Sequence, residues 1–458
     1  MQTLLFYVQN INACLSDYVL IFLLVGTGIY FTLKTKFVQV RCFGEGMKIF
    51  FDSFSLHGGA QKHGLSSFQA LTAAIAAQVG TGIIVGACGA ILIGGPGSIF
   101  WMWVISFFSM ATIYAEAVLA QETRIVHKDG TVSGGPVYYI KKAFPNKLGK
   151  VMAGFFAVAI ILALGFMGCM VQSNSIGETF HTAFGVPSWV IGVVVSVIAA
   201  CIFVGGVNRL AFVTEKLVPI MAVLYLVGGI AVLVVRIEYI PETFYLIFKY
   251  AFRPDAIIGG SFGYALKTAI SQGVKRGLFS NEAGMGSTPH AHAMANVKDP
   301  HEQGVIAMIG VFIDIFVVLT MTALIVISTL YAGDGVLASG SAAGVDKTNM
   351  VQIAFSSIFG ETFGNSFVAV CLFFFAFSTI LSWNMFGKIN MNYLFGKKGV
   401  KVYSVLSVIF IFLGSCLSND LVWELADLFN QLMVIPNSVA MVALSGVVVA
   451  CVKRATDK

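Results

Sequence analysis

Two short runs combine residue types that rarely sit in an apolar stretch: Ala76-Ala77-Gln78-Val79-Gly80-Thr81-Gly82-Ile83 and Gly277-Leu278-Phe279-Ser280-Asn281-Glu282-Ala283-Gly284-Met285-Gly286-Ser287. Each carries glycines two residues apart, and each glycine lowers helix propensity by about 1 kcal/mol relative to alanine. A helix that opens there frees backbone N–H groups able to hold a carboxylate and carbonyls able to hold a cation. The N–H groups near Gly80, Thr81 and Gly82 are the natural carboxylate donors. Close helix packing is the competing explanation of such glycines. It accounts well for one such span and poorly for two, one of them strongly polar. A third set is the hydroxyl pair Ser378-Thr379, which follows Phe373-Phe374-Phe375-Ala376-Phe377. Its oxygens suit a hard cation, or else they bond back to the preceding helical turn.

The elements that must position these residues follow from composition. Of 458 residues 57% are hydrophobic and only 11% charged, with a mean hydropathy of +0.87. A soluble domain carries about 25% charged residues. The apolar runs do not alternate as barrel strands would, and stretches of roughly 20 residues recur along the chain, so the reading is an all-α polytopic membrane protein. Eleven spans are expected, at 15–33, 66–93, 96–123, 150–178, 186–206, 210–235, 260–291, 304–331, 364–395, 401–418 and 421–452. With the N-terminus outside and the C-terminus cytoplasmic, about 20 basic residues fall in cytoplasmic segments against 4 outside (Arg236, Lys249, Arg253, Lys347). Omitting the polar seventh span, with Lys267, Lys275, Arg276, Glu282, His290 and His292, would flip every later loop and destroy that bias. The span is therefore kept and must be sheltered by protein or line a cavity.

Apart from the extra first helix at 15–33, the spans form two groups of five, 66–235 and 260–452, within one transmembrane domain. An odd number per group inverts the second relative to the first, and the two glycine breaks open the corresponding helix of each group. Paired weak points of this kind are the sequence signature of a transporter's binding site. The eight cysteines are scattered without a CxxC pair, so neither a disulfide framework nor a metal site is indicated. No phosphate-binding loop, heptad seam or nucleophile–base set is present. Enzyme activity, a cofactor and a nucleic-acid partner are therefore not expected.

At these residues the chain resembles the alanine/glycine:cation symporters, also called sodium:alanine symporters. The resemblance is carried by Ser66-Ser67-Phe68-Gln69-Ala70-Leu71-Thr72 leading into Gly80-Thr81-Gly82 and by Gly94-Gly95-Pro96-Gly97 before Phe100-Trp101-Met102-Trp103. It continues through Tyr114-Ala115-Glu116, Gly134-Gly135-Pro136-Val137-Tyr138-Tyr139-Ile140, Gln272-Gly273-Val274-Lys275-Arg276, Trp423, Leu425-Ala426-Asp427 and Ile435-Pro436-Asn437. It implies the leucine-transporter type of fold with five plus five inverted helices. It also implies sodium-driven uptake of alanine or glycine across a bacterial or archaeal inner membrane.

The resemblance places a cation-site helix at Ser378 and Thr379, completed by the carbonyls of Ala76, Val79 and Phe375. For the amino group and side chain of the substrate the expected residues are Gln172, Phe279, Ser280, Asn281 and Trp383. Asn174, two residues from Gln172, cannot share its helix face. The sequence departs from the family pattern at Ile83, where an asparagine is expected, at Gln78, usually a small residue, and at Lys388, where a glutamate is expected. An isoleucine cannot ligate a cation, which predicts one coupled sodium ion rather than two. Proton coupling, an altered substrate and a transport-inactive sensor are the alternatives. The charges Glu116, Asp314, Lys275, Arg276 and Lys388 are expected to be structurally paired, since each costs several kcal/mol if left bare in lipid.

Overall fold

A computed structural model describes residues 2–15, 21–53, 65–128, 131–252, 262–338, 344–417 and 419–456. Of the basic residues counted above, Lys62, Arg253 and Lys458 lie outside them. Apart from a two-stranded hairpin pairing Ile125–Val126 with Val132–Ser133, the regular structure described is helical.

Among the described residues six helices are long and apolar enough to cross a membrane: Ser98–Thr123, Lys147–Phe184, Gly206–Val235, Pro300–Leu330, Glu361–Cys416 and Asp420–Ala443. The bent pair Ser67–Gln78 and Gly82–Gly94 makes a seventh if counted as one span. The Gly206–Val235 helix exposes Ile220, Val223, Val227, Ile230 and Val234. Spacings of three and four put this apolar stripe on its outer face, as expected where the surrounding solvent is lipid.

The structure refines several expected boundaries. The Glu361–Cys416 helix breaks at Gly396 (φ 66°), separating the stretches expected at 364–395 and 401–418. The stretch expected at 421–452 is divided between Asn419–Ala443 and Ser445–Thr456. Helices also form where connecting segments were expected, at Gln2–Cys14, Phe43–Ser53, Pro136–Ala143 and Ile240–Phe252. Three stretches are wound as wide π turns: Gly82–Gly86, Ile161–Gly168 and Phe312–Leu319.

Both glycine runs interrupt their helices. The first broken helix starts at a capping box: Ser66 Oγ accepts from Gln69 N at 3.0 Å, and Gln69 Oε1 accepts from Ser66 N at 3.2 Å. It loses helical geometry at Val79 (φ −82°, ψ 68°) and resumes at Gly82, bent by 43°. The second runs Phe262–Asn281, opens through Glu282, Gly284 and Gly286 at positive φ, and resumes at Pro289–Met294.

The two broken helices lie antiparallel. Leu65 N donates to Met294 O and Asn296 N to Leu65 O, both at 2.9 Å, joining the start of the first to the end of the second. At the opposite end a Cβ on Gly94 would lie 3.2 Å from Ala269 Cα. Between these anchors the interruptions face each other, and a Cβ on Gly82 would stand 3.3 Å from Ser280 Cα.

Candidate functional site

The first interruption is held by neutral groups. Thr81 N donates to Gln172 Oε1 at 3.2 Å, an acceptor supplied by the Lys147–Phe184 helix. Gln78 Nε2 donates to Asn281 O at 2.9 Å, tying the first break to the last residue before the second. Asn174 turns elsewhere and donates to Gly414 O and Leu417 O, both at 3.0 Å. Two buried atoms at this break, Gln78 Oε1 and Thr81 Oγ1, find no hydrogen-bond partner among the described residues. Each such group costs about 1–3 kcal/mol when left unsatisfied.

The second interruption is held by a carboxylate. Glu116, fully buried, accepts from Gly284 N and Gly286 N at 3.0 Å each and from Asn437 Nδ2 at 2.7 Å. Asn437 also donates to Gly284 O at 2.8 Å. Glu282 Oε1 accepts from Trp383 Nε1 at 2.6 Å, and its other oxygen accepts from Ser287 Oγ at 2.5 Å. Trp383 itself packs where a Cβ on Gly168 would come within 2.5 Å of its ring. Ser280 Oγ donates to Asp314 Oδ2 at 3.3 Å, while Asp314 Oδ1 is buried and finds no partner among the described residues. Asn281 Nδ2 donates to Ser106 Oγ at 3.3 Å, and Asn281 Oδ1 accepts from Ala283 N.

The residues expected to bind a cation meet on the other flank of the first break. Thr379 Oγ1 donates to Ala76 O at 2.7 Å and to Phe375 O at 3.0 Å, and Ser378 Oγ donates to Phe375 O at 2.9 Å. Both hydroxyls therefore bond back to the preceding turn, and Thr379 additionally bridges two helices. Val79 lies one turn beyond Ala76, at the point where helical geometry ends. Gly80 is required here, because a Cβ would come 2.5 Å from Thr379 Oγ1.

Gly80, Thr81, Gly82, Gln172, Ser280, Asn281 and Trp383 thus line the facing breaks. Phe279 is the outlier. Its ring lies 6.0 Å from that of Trp423 and it faces a cavity of about 280 Å³ shared with Asn12, Arg276 and Asp427. This cavity stands beside the breaks rather than between them.

Of the five membrane charges expected to be paired, Arg276 meets an opposite charge, Asp427, at 3.5 Å. Lys388 Nζ instead donates to Phe203 O at 2.7 Å and stands over the Phe203 ring. Glu116 is satisfied by backbone and amide donors, whereas Asp314 receives one hydroxyl, on Oδ2. Two roles escaped the sequence reading: Gln78 as the link between breaks and Glu282 as the acceptor for Trp383. The signal for both was a polar side chain flanking a glycine break.

A family model described as the sodium:alanine symporter family matches residues 1–458. The sodium/alanine symporter AgcS of Methanococcus maripaludis is 40% identical over 97% of this chain and 95% of its own length. A probable sodium/glutamine symporter of Bacillus subtilis, GlnT, is 38% identical over the whole chain and 92% of its own. Among solved structures, MhsT in complex with L-phenylalanine superposes with a TM-score of 0.59 at 15% identity, covering 85% of this chain and 89% of that one. That likeness is one of fold.

The chain belongs to the sodium:alanine symporter family.

Proposed function

From that membership we propose that the protein is a secondary transporter that imports a small neutral amino acid, alanine or glycine, together with sodium. The proposed topology has eleven spans, an extra first helix and two inverted five-helix groups, with the N-terminus outside and the C-terminus in the cytoplasm of a prokaryotic cell. The substrate carboxylate takes the N–H groups of Gly80, Thr81 and Gly82. Gln172, Ser280, Asn281 and Trp383 surround the rest of the molecule, with Phe279 at its edge. Sodium takes oxygens of Ala76, Val79, Phe375, Ser378 and Thr379, which is the hard shell this ion prefers. Alternating access exposes these residues to one side and then the other.

The observation that carries this reading is the first break itself. Its Thr81 N–H is held by a neutral amide, and Gln78 Oε1 and Thr81 Oγ1 stand buried beside it with no partner among the described residues. A zwitterion entering there exchanges two neutral hydrogen bonds, Thr81 N to Gln172 Oε1 and Gly80 N to Gln78 O, for charge-assisted ones, which are roughly twice as strong.

Uptake of radiolabelled alanine, glycine and glutamine into proteoliposomes, with and without a sodium gradient at fixed pH, tests the proposal. Sodium-driven accumulation of alanine or glycine supports it. Accumulation of glutamine alone overturns the substrate assignment, and binding without accumulation indicates a sensor. Proton coupling is the second reading, favoured by Asp314, a buried acid held by a single hydroxyl beside the break. Uptake driven by a pH gradient without sodium would establish it.

A further inference from the structure

Away from both breaks, three side chains of metal-ligating type converge at the junction of the Phe43–Ser53 helix with the start of the Pro300–Leu330 helix. The ligand atoms of Cys42, Glu45 and His301 all lie within 4.8 Å of one another. Cys42 is the turn residue (φ −102°, ψ 9°) just before the Phe43–Ser53 helix, and Glu45 lies in the first turn of that helix. His301 Nε2 stands 3.2 Å from Glu45 Oε2. The edge of a tetrahedral zinc site spanning one nitrogen and one oxygen is about 3.3 Å, given bonds of about 2.0 Å. The pair hydrogen-bonds at this distance, which is also the separation that a chelating pair needs. The thiol lies at most 4.8 Å from the other two donors, against a sulfur–nitrogen edge of about 3.5 Å in a tetrahedral site.

The surroundings fix the donors. Tyr114 Oη lies 2.7 Å from His301 Nδ1, which orients the ring and leaves Nε2 toward Glu45. Metal-bound histidines commonly have their second nitrogen held in this way. His301 N donates to Asp299 Oδ1 at 3.0 Å at the helix start. The two helices approach closely at Gly46, where a Cβ would stand 2.8 Å from Ile309 Cγ1 and 3.0 Å from Val305 O. Phe43 and Phe312 pack edge to face at 4.9 Å on the same seam. Cys42 and the His301 side chain are buried, whereas the Glu45 side chain is 49% exposed. The site is thus closed on the protein side and open on the solvent side.

We propose that Cys42, Glu45 and His301 form a binding site for a zinc-class transition metal, with the fourth position open to solvent, that clamps the Phe43–Ser53 helix to the Pro300–Leu330 helix. One thiolate, one imidazole and one carboxylate form a borderline-soft donor set that selects zinc or its analogues over calcium, magnesium and sodium. The clamp acts on a helix that continues into the wide turn Phe312–Leu319, where Asp314 meets Ser280. Metal binding therefore restrains the second break from a distance. This consequence, unlike the site, rests on the proposed transport function.

Cobalt(II) added to the purified full-length protein tests the site without reference to transport. The expected result is a saturable thiolate-to-cobalt charge-transfer band with tetrahedral d–d bands at one equivalent, displaced by zinc. Cys42→Ser should abolish the charge-transfer band, and Glu45→Gln should weaken cobalt binding by about tenfold. Tyr114→Phe should lower affinity by about 10–100-fold with the same spectrum. Cys201→Ser and Cys416→Ser, which remove exposed thiols, should change nothing. Absence of the charge-transfer band, or a band that survives Cys42→Ser in protein with unchanged thermal melting, overturns the proposal. A metal-bound protein whose transport is insensitive to zinc overturns the clamp and leaves the site intact.

Discussion

The two broken helices use the same chemistry toward opposite ends. At both, an interrupted helix presents backbone N–H groups that favour an anion. At the second, the protein supplies the acceptor itself: Glu116 accepts from Gly284, Gly286 and Asn437 across the turn. At the first, a neutral glutamine amide holds Thr81 N–H. On the proposed reading, the internal carboxylate makes the second break structural and the neutral placeholder leaves the first exchangeable. A helix break therefore marks a binding site only when the group filling it can be displaced.

The largest expected effect comes from emptying the structural break. Glu116→Ala leaves three buried donors without this acceptor, at about 1–3 kcal/mol each, against a total stability of about 5–15 kcal/mol for a typical domain. Thermal melting in detergent should fall steeply or folded protein should fail to accumulate. Wild-type melting would show that the carboxylate does not hold the turn. Next is Gly82→Leu, which fills the gap toward Ser280 and should abolish alanine binding while expression persists. Binding at wild-type affinity would remove the first break from the site.

Gln172→Glu sharpens the comparison most directly, because it gives the first break an internal carboxylate like the second. Alanine affinity should drop by about a hundredfold, near 2.8 kcal/mol, with melting unchanged, as read by calorimetric titration. Unaltered affinity would mean that the substrate carboxylate does not use Thr81 N–H. The smallest effect is expected from Thr379→Val, which removes the hydroxyl shared between Ala76 O and Phe375 O. The sodium concentration for half-maximal uptake should rise about tenfold, and an unchanged value would exclude Thr379 from the cation shell.

The location of both breaks was legible because glycine pairs in an apolar stretch have a local cause, a lost helix propensity that needs no partner to be seen. The polarity of the seventh stretch was legible too, since a basic residue in a hydrophobic segment must be sheltered somewhere. What shelters it was not. Glu116 announces a cost that something must offset, and an opposite charge, a hydroxyl and a row of amide protons would all serve. Only the fold brings Gly284 and Gly286 to it. Lys388 shows the same limit: a carbonyl of Phe203, 185 residues away in sequence, takes the place of the expected counter-charge. The helices at Phe43–Ser53 and Ile240–Phe252 were missed because hydropathy over a span-length window averages away a short amphipathic stretch.

The wide turns at Gly82–Gly86, Ile161–Gly168 and Phe312–Leu319 have a mechanical consequence. An α-helix advances about 100° per residue, and a wide turn holds one residue of slack in its hydrogen-bond ladder. Passing that slack one turn along the helix rotates the intervening side chains by about one residue's angle while both ends stay anchored. Such a turn behaves as a dislocation in a crystal does, letting a segment slip by one register without breaking every bond at once. One of the three adjoins the first break and another carries Asp314 against the second, so side chains beside both breaks can be re-aimed by a movement that displaces no helix end.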